Sequence, residues 1–337
     1  MRRLILFACA LSLFTAVSTA GAAPTRSWAA TEIKAVVEVG LMAPSVGEFR
    51  PNDPITQSEL AIVLASFGME VSAPDPFRRV TLRELDAKLV AAAGMRAEAL
   101  GLKLAAAYAG LRPGTWFGTE SVARLLGLRV NHPKDQEHLE LQLSQPATRA
   151  EAAFSIARLL ELDLEEIVQV RETVESFVLP AMTPVQRTLI ARAARFVGTP
   201  YVWAGTSERS QKLAGRLRPG GFDCSGFVWR VFKLEPTPGA PALPTKLKGR
   251  TTYEMSAEIG RKGRIPLAKL QPADLVFFGD RGTRSKPSEV GHMGIYVGNG
   301  WMLHSSDRGT TLIPMTGWYE ARFAWGRNVL VETGNQL

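Results

Sequence analysis

Apolar residues along the chain keep two different periods, and the change of period divides it. Before residue 271 they recur three and four positions apart, the spacing of one face of a helix; past Asp274 they alternate, as in strands. The first helical stretch is 28–40, with Ile33, Val36, Val37 and Val39 on or near one face. A turn-rich stretch, 41–54, leads to Ile55-Thr56-Gln57-Ser58-Glu59, where Thr56 and Glu59 stand at capping-box spacing ahead of the apolar run 60–64. Similar spacing recurs in Ala147-Thr148-Arg149-Ala150-Glu151 ahead of 152–160, and the alanine-rich segment 82–111 between them reads as mainly helical. The pattern is an internal repeat of stacked helical units, without an evident third complete copy.

A charged helix over 165–178 runs into Pro180 and Pro184, and a helix over 185–197 follows. A basic polar loop is predicted for 207–220, a helix for 225–234, irregular chain through Pro236, Pro238, Pro241 and Pro244, and a short helix for 252–259. Strands are predicted at 275–278, 293–297, 301–305 and 323–331. The domains expected are therefore a mainly α-helical repeat domain over 24–164, a helical linker over 165–184, and an α+β domain over 185–337, in which a helix packs on an antiparallel sheet.

The start of the chain changes this picture by placing the protein outside the cytoplasm. Met1-Arg2-Arg3, an apolar run over 4–17 and small residues up to Ala23 read as a secretory signal peptide, 1–23, cleaved near Ala22 or Ala23. The run is short for a membrane span, no second apolar stretch of about 20 residues follows, and Cys9 lies too early to be a lipid-modified residue after cleavage. No stable membrane anchor is expected once the signal is removed.

Charge is unevenly shared. The formal net charge is +8, but from residue 181 onward 22 Lys and Arg face 11 Asp and Glu, whereas 24–180 carries 16 against 21. A basic exported domain suits an anionic surface such as a cell wall. Nucleic acid is not favoured, because the basic residues are dispersed and no aromatic-rich binding motif accompanies them.

Of the two cysteines, Cys9 leaves with the signal, so Cys224 has no internal disulfide partner. Exported proteins tend to carry paired cysteines or none, and an odd thiol is suspect as a reactive one. Cys224 follows the Gly220-Gly221 turn and the capping residue Asp223, at a predicted helix start where unpaired N–H groups would lower a thiol pKa. A lone cysteine is more commonly an inert core residue; the histidines alter that balance.

His132 and His138 fall in a polar loop and are expected to be solvated. His292 and His304 fall on one predicted hairpin. A two-residue loop, Asn299-Gly300, would set His304 opposite Ile295 and scatter the apolar face. A three-residue loop, Gly298-Asn299-Gly300, with a bulge at Gly300, sets Val297 opposite Trp301 and Gly294 opposite His304. Met293, Ile295, Val297, Trp301 and Leu303 then share one face, and His292 and His304 are diagonal neighbours on the other. Two imidazoles beside an unpaired thiol supply a base and its orienter, His292 and His304 respectively.

The motifs Gly198-Thr199-Pro200-Tyr201-Val202-Trp203, Gly221-Phe222-Asp223-Cys224-Ser225-Gly226-Phe227-Val228, Ala273-Asp274-Leu275-Val276-Phe277-Phe278, Val290-Gly291-His292-Met293-Gly294-Ile295-Tyr296-Val297-Gly298-Asn299-Gly300 and Met302-Leu303-His304-Ser305 resemble, in order, those of NlpC-type cell-wall cysteine peptidases. The resemblance implies a papain-like fold, a Cys-His-His triad of Cys224, His292 and His304, and cleavage of peptidoglycan stem peptides, typically between D-glutamate and a diamino acid. It also places Tyr201 near the oxyanion, and Asp223 and Ser225 toward the substrate's free amine. Ala204-Gly205 and Ala273-Asp274 stand where that family often has Gly-Gly and Gly-Asp.

The loop and capped helix of 28–164 resemble S-layer homology repeats, which bind cell-wall polymers. Thr148-Arg149-Ala150-Glu151 matches their TRAE-like motif, and Thr56-Gln57-Ser58-Glu59 lacks its arginine. By this resemblance Arg149 is a candidate contact for an anionic wall polymer. The expectation is thus an exported, wall-associated or periplasmic peptidoglycan hydrolase needing no metal or organic cofactor. Two alternatives stay open: a wall-binding protein carrying an inactive peptidase fold, and a papain-like amidase or acyltransferase acting on a non-wall substrate.

Overall fold

Residues 27–334 are described by the computed structural model. The expected signal segment, 1–23, and Cys9 lie outside the described residues. The front half contains helices α1 (Ala30–Glu38), α2 (Gln57–Ser66), α3 (Leu82–Ala92), α4 (Arg96–Tyr108), α5 (Phe117–Leu125), α6 (Arg149–Glu161) and α7 (Leu164–Glu175). Helices α2, α3 and α6 start around one point. Val80 N–H donates to the Ile55 carbonyl (2.9 Å), Ala147 N–H to the Val80 carbonyl (2.9 Å) and Ile55 N–H to the Ala147 carbonyl (3.0 Å), closing a ring of three hydrogen bonds. All three residues are buried, and each precedes a capping threonine.

The caps themselves differ. Glu59 accepts from Thr56 N–H (2.9 Å) and Glu84 from Thr81 N–H (2.8 Å), reciprocal boxes that satisfy otherwise orphaned donors. Thr148 accepts from Glu151 N–H (3.1 Å), but the Glu151 carboxylate turns inward to Arg129 and His132. Thr81-Leu82-Arg83-Glu84 is thus a third capped start, which corrects the two-copy repeat read from the sequence. The stretch expected as a linker is packed chain: α7 lies on α4, with Arg171 Nε 2.5 Å from Glu98, and Phe177 meets Trp301 edge-on at 5.1 Å.

The second half opens with α8 (Pro184–Ala194), capped by Thr183 and Gln186. The expected loop over 207–220 instead forms short antiparallel pairs: β1 (Thr206–Ser207) with β4 (Gly221–Phe222), and β2 (Gln211–Leu213) with β3 (Arg216–Arg218). Helix α9 (Cys224–Phe232) follows. The proline-rich stretch admits one helical turn, α10 (Leu243–Lys246), because Pro244 falls in its first turn, where no N–H is needed. After α11 (Thr252–Ala257) come β5 (Leu275–Gly279), β6 (Val290–Gly298), β7 (Trp301–Ser306), β8 (Gly309–Pro314), α12 (Trp318–Arg322) and β9 (Phe323–Arg327).

These five strands make an antiparallel sheet in the order β8-β7-β6-β5-β9, and α9 packs across β6 and β7. Strand β8 has no counterpart in the sequence reading. The last strand ends four residues earlier than expected, where the buried Arg327 turns to the Glu258 and Glu332 carboxylates and the Lys246 and Met255 carbonyls. The hairpin register is half as expected. Gly298 pairs with Trp301 across a two-residue turn in which Asn299 and Gly300 both have positive φ (48° and 79°), and a bulge between Tyr296 and Gly298 restores Ile295 opposite Leu303. The register at the histidines is therefore the one expected, although the bulge lies on the other side of the turn.

Met293, Ile295, Val297, Trp301 and Leu303 join an apolar core that is continuous with that of the front helices. Val276, Phe278, Tyr296, Met302, Met315 and Phe323 form a smaller cluster on the opposite face of the sheet. The molecule is a mixed α+β protein with its helical part ahead of its sheet. Among the described residues no helix is long and apolar enough to cross a membrane.

Candidate active site

Asp223 caps α9 by accepting from Gly226 N–H (2.5 Å), which sets Cys224 as the first helical residue with its sulfur facing the sheet. Thr252 Oγ1 lies 3.4 Å from the sulfur, and Thr252 and the backbone amides of Ser225 and Met293 act to lower the thiol's pKa. Thr252, rather than either imidazole, is its side-chain hydrogen-bond partner. Burial outweighs these donors, and the Asp223 carboxylate adds to it, so the thiol is pushed up to about 11. The lowered thiol pKa expected at a helix start is therefore not found; the residue is only 8% exposed.

His292 lies one residue before Met293, and its Nε2 is 2.8 Å from His304 Nδ1. The rings meet edge-on, and Gly294, set between them on the strand, leaves the necessary room: a Cβ there would lie 3.1 Å from that of His304. Burial pushes His292 down to about 4, and burial with the neighbouring His292 and Arg308 holds His304 well below the usual range. Both are neutral at neutral pH. His304 Nε2 is buried without a partner. Tyr319 stands edge-on to His304 at 5.2 Å, and a cavity of about 350 Å³ opens beside His292, lined by Ser306, Asp307, Trp318 and Tyr319.

Asp223 and Ser225 share a partner that the sequence did not reveal. Arg250 donates to Asp223 Oδ1 (3.2 Å) and Oδ2 (3.3 Å), to Ser225 Oγ (2.8 Å) and to the Ala204 carbonyl (2.9 Å). No local pattern marks it, because it comes from the far side of the proline-rich stretch. Tyr201 sits beside this cluster in a parallel bridge with Phe222; burial, with Cys224 and Asp223 nearby, raises its phenol above the usual range and keeps it a neutral donor. Ala204 and Ala273, the two departures from the family pattern, both have left-handed backbones, with φ of 62° and 71°.

Arg149 is not brought to this site or to the surface. It is buried, donating to the Phe49 carbonyl (2.7 Å), the Met42 carbonyl and the Glu59 carboxylate, with its guanidinium over the Phe49 ring. Its observed contacts join repeat units. His132, expected to be solvated, is likewise buried, with Nε2 3.0 Å from Glu151 and its ring edge-on to Trp28; His138 is exposed as expected.

Known proteins share this part of the chain. Residues 198–327 match the NlpC/P60 family, and residues 23–61, taking in α1 and the start of α2, match the S-layer homology domain. The γ-D-glutamyl-L-lysine dipeptidyl-peptidase of Bacillus cereus is 33% identical over 153 residues, 44% of this chain and 38% of that protein. The probable endopeptidase p60 of Listeria welshimeri is 35% identical over 141 residues, 41% of this chain and 21% of its own length. A crystal structure of an NlpC/P60 family protein from Bacillus cereus is 28% identical, covering 46% of this chain and 43% of that one with a TM-score of 0.33. The chain thus spans less than half the length of each of these relatives. The NlpC/P60 match falls in the α+β half, and the S-layer homology match stands ahead of it.

Proposed function

We propose that the protein is an exported peptidoglycan hydrolase that cleaves a stem-peptide amide, between D-glutamate and a diamino acid, with Cys224 as nucleophile. The observation that carries this reading is the 2.8 Å His292–His304 pair, whose first member lies on β6, the strand on which the helix beginning at Cys224 packs. For His292 to act as base, its Nε2–H donates to His304 Nδ1, which leaves its Nδ1 lone pair for the thiol proton. The thiolate adds to the amide carbonyl, the imidazolium returns the proton to the departing amine, and the C–N bond breaks to leave a thioester. Water, deprotonated by the same imidazole, hydrolyses that thioester and regenerates the thiol.

Tyr201 fits a donor to the oxyanion, since its phenol stays protonated. Asp223 and Ser225 fit recognition of a substrate amine only if Arg250 gives way, because Arg250 already holds both. Supporting the substrate class are the family match, the names of the relatives, and the signal-like start of the chain. Cys224→Ala should abolish release of stem-peptide fragments from purified sacculi. Undiminished release would overturn the assignment, and binding to sacculi without hydrolysis by the unaltered protein would instead support a wall-binding role.

A further inference from the structure

The strip 198–203, which carries Tyr201 and Trp203, is held by the front domain at Gly198, Tyr201 and Trp203. Arg124, buried in α5, donates to the Gly198 carbonyl (3.1 Å) and, through Nε, to the Arg308 carbonyl (2.8 Å). Asn131 grips Tyr201 twice: its Oδ1 accepts from Tyr201 N–H (2.7 Å) and its Nδ2 donates to the Tyr201 carbonyl (3.4 Å). Glu137 accepts from Trp203 N–H (2.6 Å), and the Lys134 ammonium lies 4.7 Å from the centre of the Trp203 ring. Gln142 reaches the Gly220 carbonyl (2.7 Å) at the turn before the nucleophile helix.

The segment providing these groups is itself fixed from within the front domain. His132, next to Asn131, donates its N–H to Glu140 (2.5 Å) and places Nε2 against Glu151, whose other oxygen faces Arg129. Glu151 is the last residue of the TRAE-like motif, so the motif's carboxylate holds the segment that holds Tyr201. A tether would have no reason to satisfy both backbone groups of one residue beside another domain's nucleophile.

We infer that the front domain is a working part of the catalytic site, with Asn131 a positioning residue that fixes Tyr201, and through it the oxyanion side of the cleft, during amide cleavage. The inference rests on the thiol-peptidase reading above. Misplacement of a positioned group by about 1 Å is enough to slow a reaction about a hundredfold.

The test uses the full chain and a soluble stem peptide containing D-glutamate and a diamino acid. Asn131→Ala should lower kcat by about ten- to a hundredfold with KM changed far less, since the positioned group acts on the transition state. The rate of Cys224 alkylation by iodoacetamide should hold, because the sulfur's own donors lie outside the strip. Asn131→Asp, which keeps the acceptor for Tyr201 N–H, should recover part of the loss, and it decides the matter if the alanine variant does not fold. Wild-type kcat in folded Asn131→Ala overturns the inference, as does a parallel fall in alkylation, which would mean that the thiol itself has moved. Failure of the peptidase reading is separate: it shows as hydrolysis by Cys224→Ala.

Discussion

A thiol pushed up to about 11 and an imidazole pushed down to about 4 are both neutral across the whole neutral range. On the proposed thiol-peptidase reading, charge separation is left to the moment when substrate fills the cleft, and the free protein should be a sluggish thiol. Alkylation of Cys224 by iodoacetamide should keep rising with pH beyond the ordinary thiol value of about 8.5, because only the thiolate reacts. A rate that levels off below pH 7 would show a preformed thiolate–imidazolium pair instead. Backbone strain is legible at the same scale. Ala204 and Ala273 hold left-handed conformations that cost an L-residue about 1–2 kcal/mol, part of which glycine would return as chain entropy. Ala204→Gly and Ala273→Gly should each stabilise the protein by roughly 0.5–1 kcal/mol in urea unfolding.

Elements were read from sequence where one local rule governs them. The hairpin at 290–306 is legible because only one register gathers its apolar residues on a single face, yet the pattern does not locate the bulge, because either placement gives that register beyond the turn. Strand β8 carries no alternation in the sequence because Thr310, Thr311 and Leu312 are all buried. The third capped start at Thr81 carries the same Thr-x-x-Glu spacing as the others but opens directly into a long alanine-rich helical run that hides it. Arg250, Asn131 and Thr252 reach the site through long-range contacts that no spacing announces. Arg149 shows the reverse: its motif was plain, and its buried contacts came only from the fold. Since Thr81 caps α3 with a reciprocal box, Thr81→Ala should lower stability by about 1 kcal/mol in the same urea assay, while an unchanged midpoint would mean that the cap is redundant within the ring.

Across the whole molecule, the apolar core runs without a break from the front helices to the sheet, and the joint between them is lined by Arg124, Asn131, Glu137 and Gln142. Two domains joined in this way should melt as one, so calorimetry of the full chain should give a single transition; two separated transitions would mark the joint as weak. The ring through Ile55, Val80 and Ala147 adds an ordering in time. Its last member lies far along the chain from its first, and until residue 147 has emerged the Ile55 N–H lacks its acceptor and the Val80 carbonyl its donor. A chain emerging from its N-terminus therefore cannot finish the front domain as it goes. The early helices must wait, open at their common centre, until Ala147 arrives to close them.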